Sequence, residues 1–384
     1  MIAYNRTWLD ALLTRDTARQ WHHKGLLSDE KWKTVQERFQ APFYTPNVFV
    51  RIGLAFFCLI LLTAAIGLFI LFTGADSEAG IAALSLLFGL ASIAVLEFWA
   101  IGSARHFASG VDDMLLYFGI SMILTGLCSR LPYDTDFLVY CCIAWPFLVA
   151  GSIRYIDRLL AAAAFVCSLL IVLLIVKDIP RLALYLLPFS GMLFSASAYF
   201  FAQKGQERYD WRHWHGLLGV VELLALVTFY ASGNYWVVQQ AGAEMFQLEL
   251  VPIPWFFWTF TFAVPALYIF IGLRHKNRLL MDIGLGCVAA AVFTFRYYYH
   301  VLPLAWAGVI AGAVLFVSAY FSIQYLRTHE GAYTYDADGD TTLLQEIEEQ
   351  LIEQTIASQN PPTSGEKNVF GGGQFGGGGA GGEF

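Results

Sequence analysis

Charge is scarce in this chain: Asp, Glu, Lys and Arg together make 14% of its 384 residues, against about 25% in an average soluble domain. Hydrophobic residues make 57%. A soluble core of this size needs far less, so the surplus must face lipid rather than water. Enzyme signatures are missing as well. There is no phosphate-binding GxxxxGK, no metalloprotease HExxH and no nucleophile elbow GxSxG, and each of those chemistries needs its residues at that spacing. The six cysteines, Cys58, Cys128, Cys141, Cys142, Cys167 and Cys287, fall in apolar runs at spacings unlike a zinc or redox site. They read as small packing residues, and no metal or other cofactor is expected. Basic stripes interleaved with aromatics are absent, which argues against nucleic acid as a partner. The aspartates of YDADGD, residues 335–340, lack the further oxygens and the position-twelve Glu of a calcium loop.

What is present is a succession of long apolar segments, near 49–73, 79–101, 111–128, 134–151, 159–176, 182–202, 214–233, 254–273, 279–300 and 304–325. A helix needs about 20 such residues to cross a bilayer, and the runs are continuous rather than alternating, which excludes a β-barrel. The expected fold class is therefore all-α: a polytopic transmembrane helix bundle of about ten spans, with the lipid bilayer as its solvent. No apolar run before residue 48 suits a secretory signal peptide. If alternate loops share a side, all but four of the 23 Lys and Arg residues lie on one side, the exceptions being Arg130, Lys177, Arg181 and Arg296. Positive charge marks the cytoplasmic face. Both termini are expected there.

The ends differ from the middle. In residues 1–47, Trp8, Leu9, Leu12, Leu13 and Trp21 recur at helical spacing, as do Trp32, Val35 and Phe39, giving a helical hairpin. Gly25 supplies the stop and Ser28 the next cap, with Asp29 and Glu30 in the first turn. So short a hairpin buries little alone. It is expected to dock on the membrane bundle of residues 48–327, on its twin in a homo-oligomer, or on a partner protein. Residues 328–360 place Leu343, Leu344, Ile347, Leu351 and Ile356 opposite Glu346, Glu348, Glu349 and Glu353, an acidic amphipathic helix suited to protein more than to a membrane surface. Residues 361–384 form a Gly/Phe-rich tail, with nine glycines in the last fourteen positions and Phe370, Phe375 and Phe384 as candidate partner contacts. Its glycine content favours a flexible tail.

The junction WHHKGLLSDE, followed by many short-looped spans and by YYYHVLP before the last one, resembles a family of bacterial multi-spanning membrane proteins of unknown function. Members of that family carry a similar Trp and Gly-Leu-Ser turn near the N-terminus. The likeness is carried by residues 1–45 and beyond them only by pattern. It implies the bacterial cytoplasmic (inner) membrane and lends no activity or catalytic residue. The glycine-rich end is similar to tails of membrane proteins with a TPM domain, although nothing else here resembles that domain.

One carboxylate, Glu222, lies inside an otherwise hydrocarbon segment. Eight residues at about 1.5 Å each place it about 12 Å into a core about 30 Å thick, where a charge is costly and marks a site by default. His215, Gly219 and Glu222 recur at i, i+4 and i+7 and so share a face, with Gly219 suited to close approach of a neighbour. Two readings stand: a proton-relay or cation site, or a protonated acid bonded to a nearby carbonyl. Arg296 lies some 13 Å away in depth by the same arithmetic and belongs with Tyr297, Tyr298, Tyr299 and His300 in an interfacial belt. Glu97, Asp112, Asp113 and Asp282 read as interface or helix-dipole groups. From these features the leading expectation is a scaffold or accessory subunit that engages proteins through its ends. The alternative is a secondary transporter or channel using Glu222; an enzyme ranks below both.

Overall fold

Crossing hydrocarbon leaves a backbone no water to bond, so each crossing must satisfy its own N–H and C=O groups, as a helix does. The computed structural model describes residues 2–23, 25–73, 77–179, 183–246 and 252–299, together with Val309, Gly312, Ala313, Phe316, Tyr320 and Gln324. Among them the regular structure is helical, apart from one isolated parallel bridge between Tyr44 and His106. The order is α1 (Arg6–His23), α2 (Asp29–Arg38), α3 (Val48–Thr73), α4 (Glu78–Val95), α5 (Val111–Cys128), α6 (Phe137–Tyr155), α7 (Arg158–Lys177), α8 (Ala183–Gln206), α9 (His215–Gly233), α10 (Tyr235–Phe246), α11 (Pro254–His275) and α12 (Arg278–Tyr299). A π-helical turn, Leu96–Ile101, continues α4, and a 3-10 turn, Tyr209–Trp214, leads into α9.

Among the described residues nine helices, α3 to α9, α11 and α12, are long and apolar enough to span a membrane, each within a turn and a half of its expected bounds. Their outer faces carry large apolar side chains: Phe56 is 65% exposed, Phe72 80% and Phe270 61%. Lipid solvates such surface where water would not. The chain is a multi-pass membrane protein with an all-α polytopic bundle. The expected tenth span apart from the six scattered residues above, the acidic helix at 343–356, the Gly/Phe tail with Phe370, Phe375 and Phe384, and His300 all lie outside the described residues.

Neighbouring helices pair as short connections require: α4 along α5, α6 along α7, α8 along α9 and α11 along α12. Pro146, Pro188 and Pro265 sit inside α6, α8 and α11. At Gly110, before α5, φ is +91° and a Cβ would collide with the Arg51 carbonyl of α3, so only glycine lets these two helices meet. In the N-terminal segment Gly25, at φ +69°, lies just after α1 and Ser28 precedes α2. Its capping chemistry differs: the Ser28 side chain makes no cap hydrogen bond.

The start of the N-terminal segment docks on its own bundle. Ile2, Tyr4 and Leu9 are buried in one apolar cluster with Leu96, Ala100, Leu115, Leu116 and Leu160. Backbone bonds secure the segment: Ala3 N–H donates to Arg154 O, and Tyr44 exchanges bonds with Arg105 O and Phe107 N–H, at 2.9, 2.9 and 3.3 Å. By contrast α2 buries no residue.

Candidate functional site: a polar chamber under the N-terminal helix

Carboxylates suit helix N-termini, where they meet unpaired N–H groups and the positive end of the dipole. Asp112 and Asp113 open α5 and Asp157 caps α7. Asp112, 2% exposed, folds the loop before α5. It accepts from Ala108 N, Ser109 N and Ser109 Oγ at 2.8, 2.8 and 2.9 Å, and from the Tyr4 hydroxyl at 3.4 Å. Asp113 pairs with Arg51 of α3, whose Nε and Nη2 reach Oδ2 at 3.0 and 2.6 Å. Asp157 accepts from Leu160 N and from the Tyr117 hydroxyl, both at 2.7 Å. With Tyr155, Arg158, His213 and His215 these groups wall a chamber of about 630 Å³, and Leu9, Leu12, Leu13 and Asp16 of α1 line it from the other side.

The cover is latched. Arg212, in the 3-10 turn before α9, donates Nε and Nη2 to Asp10 Oδ1 and Oδ2, both at 2.8 Å, and His213 Nε2 lies 3.4 Å from Oδ1. Hydrogen bonding from Arg212 holds the Asp10 carboxyl below its usual range. Burial, then the Asp112 carboxylate, pushes the Tyr4 hydroxyl well above its usual value, so Tyr4 stays a donor. Burial lowers His106 against the pull of Asp112, and its Nδ1 lies 2.8 Å from Ser109 Oγ.

Glu97, expected as an interface or dipole group, sits in the π-helical turn and forms a two-pronged pair with Arg154: Nε to Oε1 and Nη2 to Oε2, both 2.7 Å. The Tyr155 hydroxyl adds a third bond to Oε1 at 2.6 Å. This ties α4 to the end of α6, whose Arg154 carbonyl also holds Ala3. A single widened turn re-aims Glu97 for that purpose, as π-helical turns do.

Glu222 is 5% exposed, yet its partners are not those expected. Gln203 Nε2 donates to Oε1 at 3.1 Å and Gln206 Nε2 to Oε2 at 2.8 Å, and Gln203 also contacts the Tyr199 hydroxyl at 2.9 Å. Each oxygen accepts an amide hydrogen, and these partners are side-chain amides of α8 rather than a backbone carbonyl. His215 does not join it: His215 is exposed and faces the chamber. Gly219 has nothing within 4 Å of a notional Cβ, so no neighbour approaches closely there. His215 is the first residue of α9, and burial along the helix begins at Leu217. Arg296 lies at the far end of α12, and Asp282 sits 3.8 Å from Arg278 on an exposed surface.

Sequence reading overlooked Asp157, Tyr117, Tyr4 and Arg51 as site residues. The one available signal was an Asp immediately before an apolar run, at 157–158, which marks an N-cap. Among the described residues no group of three or more His, Cys, Asp or Glu side chains is placed to hold a metal ion. Comparison of the chain with protein-family models, with curated proteins and with solved structures finds no significant match.

Proposed function

We propose that this membrane protein binds a small organic cation, a protonated amine, in the chamber beneath α1. The observation that carries the reading is a pair of carboxylates on the chamber wall, Asp112 and Asp157, that have no cationic partner within ion-pair reach among the described residues. Asp112 is saturated by donors, whereas Asp157 uses two of about four acceptor positions and keeps capacity for a ligand. Volume favours an organic ion over a bare one, since about 630 Å³ lies within the range of about 300 to 1,000 Å³ typical of small-molecule sites. Tyr4, Tyr117, Tyr155 and Phe107 on the wall suit an ammonium through their ring faces. A coupling role for Glu222 in transport has less support, because both its oxygens already accept amide hydrogens.

Calorimetric titration of the purified chain with methylammonium, choline and sodium tests this. Saturable binding of an organic ammonium, weakened about tenfold or more by Asp157→Asn, is the expected result. Absence of binding, or equal binding by Asp157→Asn, overturns it.

A second reading, a scaffold or accessory subunit, is favoured by α2, none of whose residues is buried. Residues 328–384 would serve it too. Removing residues 361–384 should then change the proteins that co-purify. The charge bias of the loops supports cytoplasmic termini, and the resemblance of residues 1–45 supports a bacterial inner membrane.

A further inference from the structure

A wall of carboxylates alone would suit a bare cation, but the chamber also carries an arginine that no acid has claimed. Of its three arginines, Arg51 is taken by Asp113 and Arg212 by Asp10. Arg158 makes no hydrogen bond or ion pair with any described residue. It opens α7 directly after Asp157, the carboxylate that keeps acceptor capacity. Groups of opposite sign therefore stand side by side at one helix end, on the wall of one cavity.

The two do not satisfy each other, and the reason is local. Asp157 is drawn back over its own helix as the cap, with one oxygen on Leu160 N–H and the other on the Tyr117 hydroxyl. Arg158 leaves in another direction, towards the first turn of α9. There a Cβ on Gly216 would come within 2.9 Å of its Nε, 3.0 Å of its Nη2 and 3.3 Å of its Cζ. Only a glycine leaves room for the guanidinium to rest against that turn. The arginine is thus placed by packing while its N–H donors stay uncommitted.

This arrangement bears on what the chamber selects. An ammonium on Asp157 alone would meet repulsion from the neighbouring guanidinium. A ligand that also brings a carboxylate turns that repulsion into a charge-assisted bond, which arginine can make in two-pronged form. The positive end of the α7 dipole favours the same anion. A cavity of about 630 Å³ has space for both ends of such a molecule. We infer that the ligand is a small amino acid, its ammonium on Asp157 and its carboxylate on Arg158, an inference that rests on the amine site proposed above. Arg158 is exposed, so water screens part of the gain.

Calorimetric titration of the full chain in detergent, with compounds that differ only by a carboxylate in place of a methyl group, tests this. The pairs are glycine with ethylammonium and γ-aminobutyrate with butylammonium. At least one amino acid should bind about tenfold more tightly than its amine. Arg158→Gln should weaken that amino acid and strengthen the amine, because it removes a partner from one and a repulsion from the other. Asp157→Asn should weaken both. Amino acids no tighter than their amines overturn the inference, as does an Arg158→Gln variant that lowers both members of a pair together, the mark of a structural role. Tighter binding of O-phosphoethanolamine than of either amino acid would overturn the carboxylate and indicate a lipid headgroup. The amine site has its own readout: amines that bind and lose affinity with Asp157→Asn keep it standing when the amino acids show no advantage, whereas no binding by any of these compounds removes site and inference together. The comparison on the unaltered chain decides the matter even if a variant fails to fold.

Discussion

Replacing Glu222 with methionine should destabilise the protein by about 1 to 3 kcal/mol, because the Gln203 and Gln206 amides would lose a buried acceptor. Adding Gln203→Met and Gln206→Met should restore most of that loss, since removing all partners of a buried polar cluster is nearly neutral. Unfolding midpoints in detergent read both, and a triple variant no better than the single one would show that Glu222 does more than clamp α9 to α8. At Gly110 the expectation is simpler. Gly110→Ala combines a left-handed φ of +91° with a collision at the Arg51 carbonyl, so a loss of about 3 kcal/mol or more is expected from the same measurement. The anomaly of Glu222 was legible from sequence, since a carboxylate in hydrocarbon stands out in any window. Its donors were not. Gln203 and Gln206 sit on another helix, near a span's end where polar residues need no explanation, and only the pairing of α8 with α9 brings them to the acid.

Helix α1 is held by a latch whose pH dependence follows from its charges. Asp10 has a folded-state carboxyl below its ordinary value of 3.8, so its contribution is present above that value and is lost as pH falls through the lower, folded one. Its neighbours Arg212 and Arg6 are cationic in that window. Protonating Asp10 therefore leaves them unopposed. Cleavage of α1 by pepsin should rise as pH drops below about 4, and Arg212→Ala should give comparable exposure of α1 at neutral pH. Both should be accompanied by unchanged helix content. High salt should weaken the latch only modestly, because the pair is half-exposed and already partly screened. Periodicity sufficed to place α1, α2 and the Gly25 stop, as these are local properties. It left open what α1 meets within the chain, since a stripe of Trp8, Leu9, Leu12 and Leu13 matches any apolar surface; the structure sets it on the bundle through Asp10 with Arg212, with Ala3 bonded to Arg154 just before it.

Across the whole molecule, the loop charges lead to a topology that labelling can check. With a membrane-impermeant maleimide, Glu78→Cys at the start of α4 should react in intact cells, whereas Glu30→Cys in α2 should react only after permeabilisation. The reverse pattern, or both positions reacting together, would refute the assignment of the termini to the cytoplasm. What the amino-acid order decided by itself is the medium and the set of crossings. Hydropathy and internal backbone bonding are properties of each segment alone, so nine spans could be read with no knowledge of their neighbours. Tertiary structure alone decided what the charges do. Arg154, Arg158 and Arg212 look alike in the sequence, three basic residues in short loops. Packing gives Arg154 to Glu97, sets Arg158 on the chamber wall against Gly216 and fastens α1 with Arg212. The physical reason is that ion pairs and cavities need groups from different helices within a few ångströms, and no local pattern encodes which helices meet.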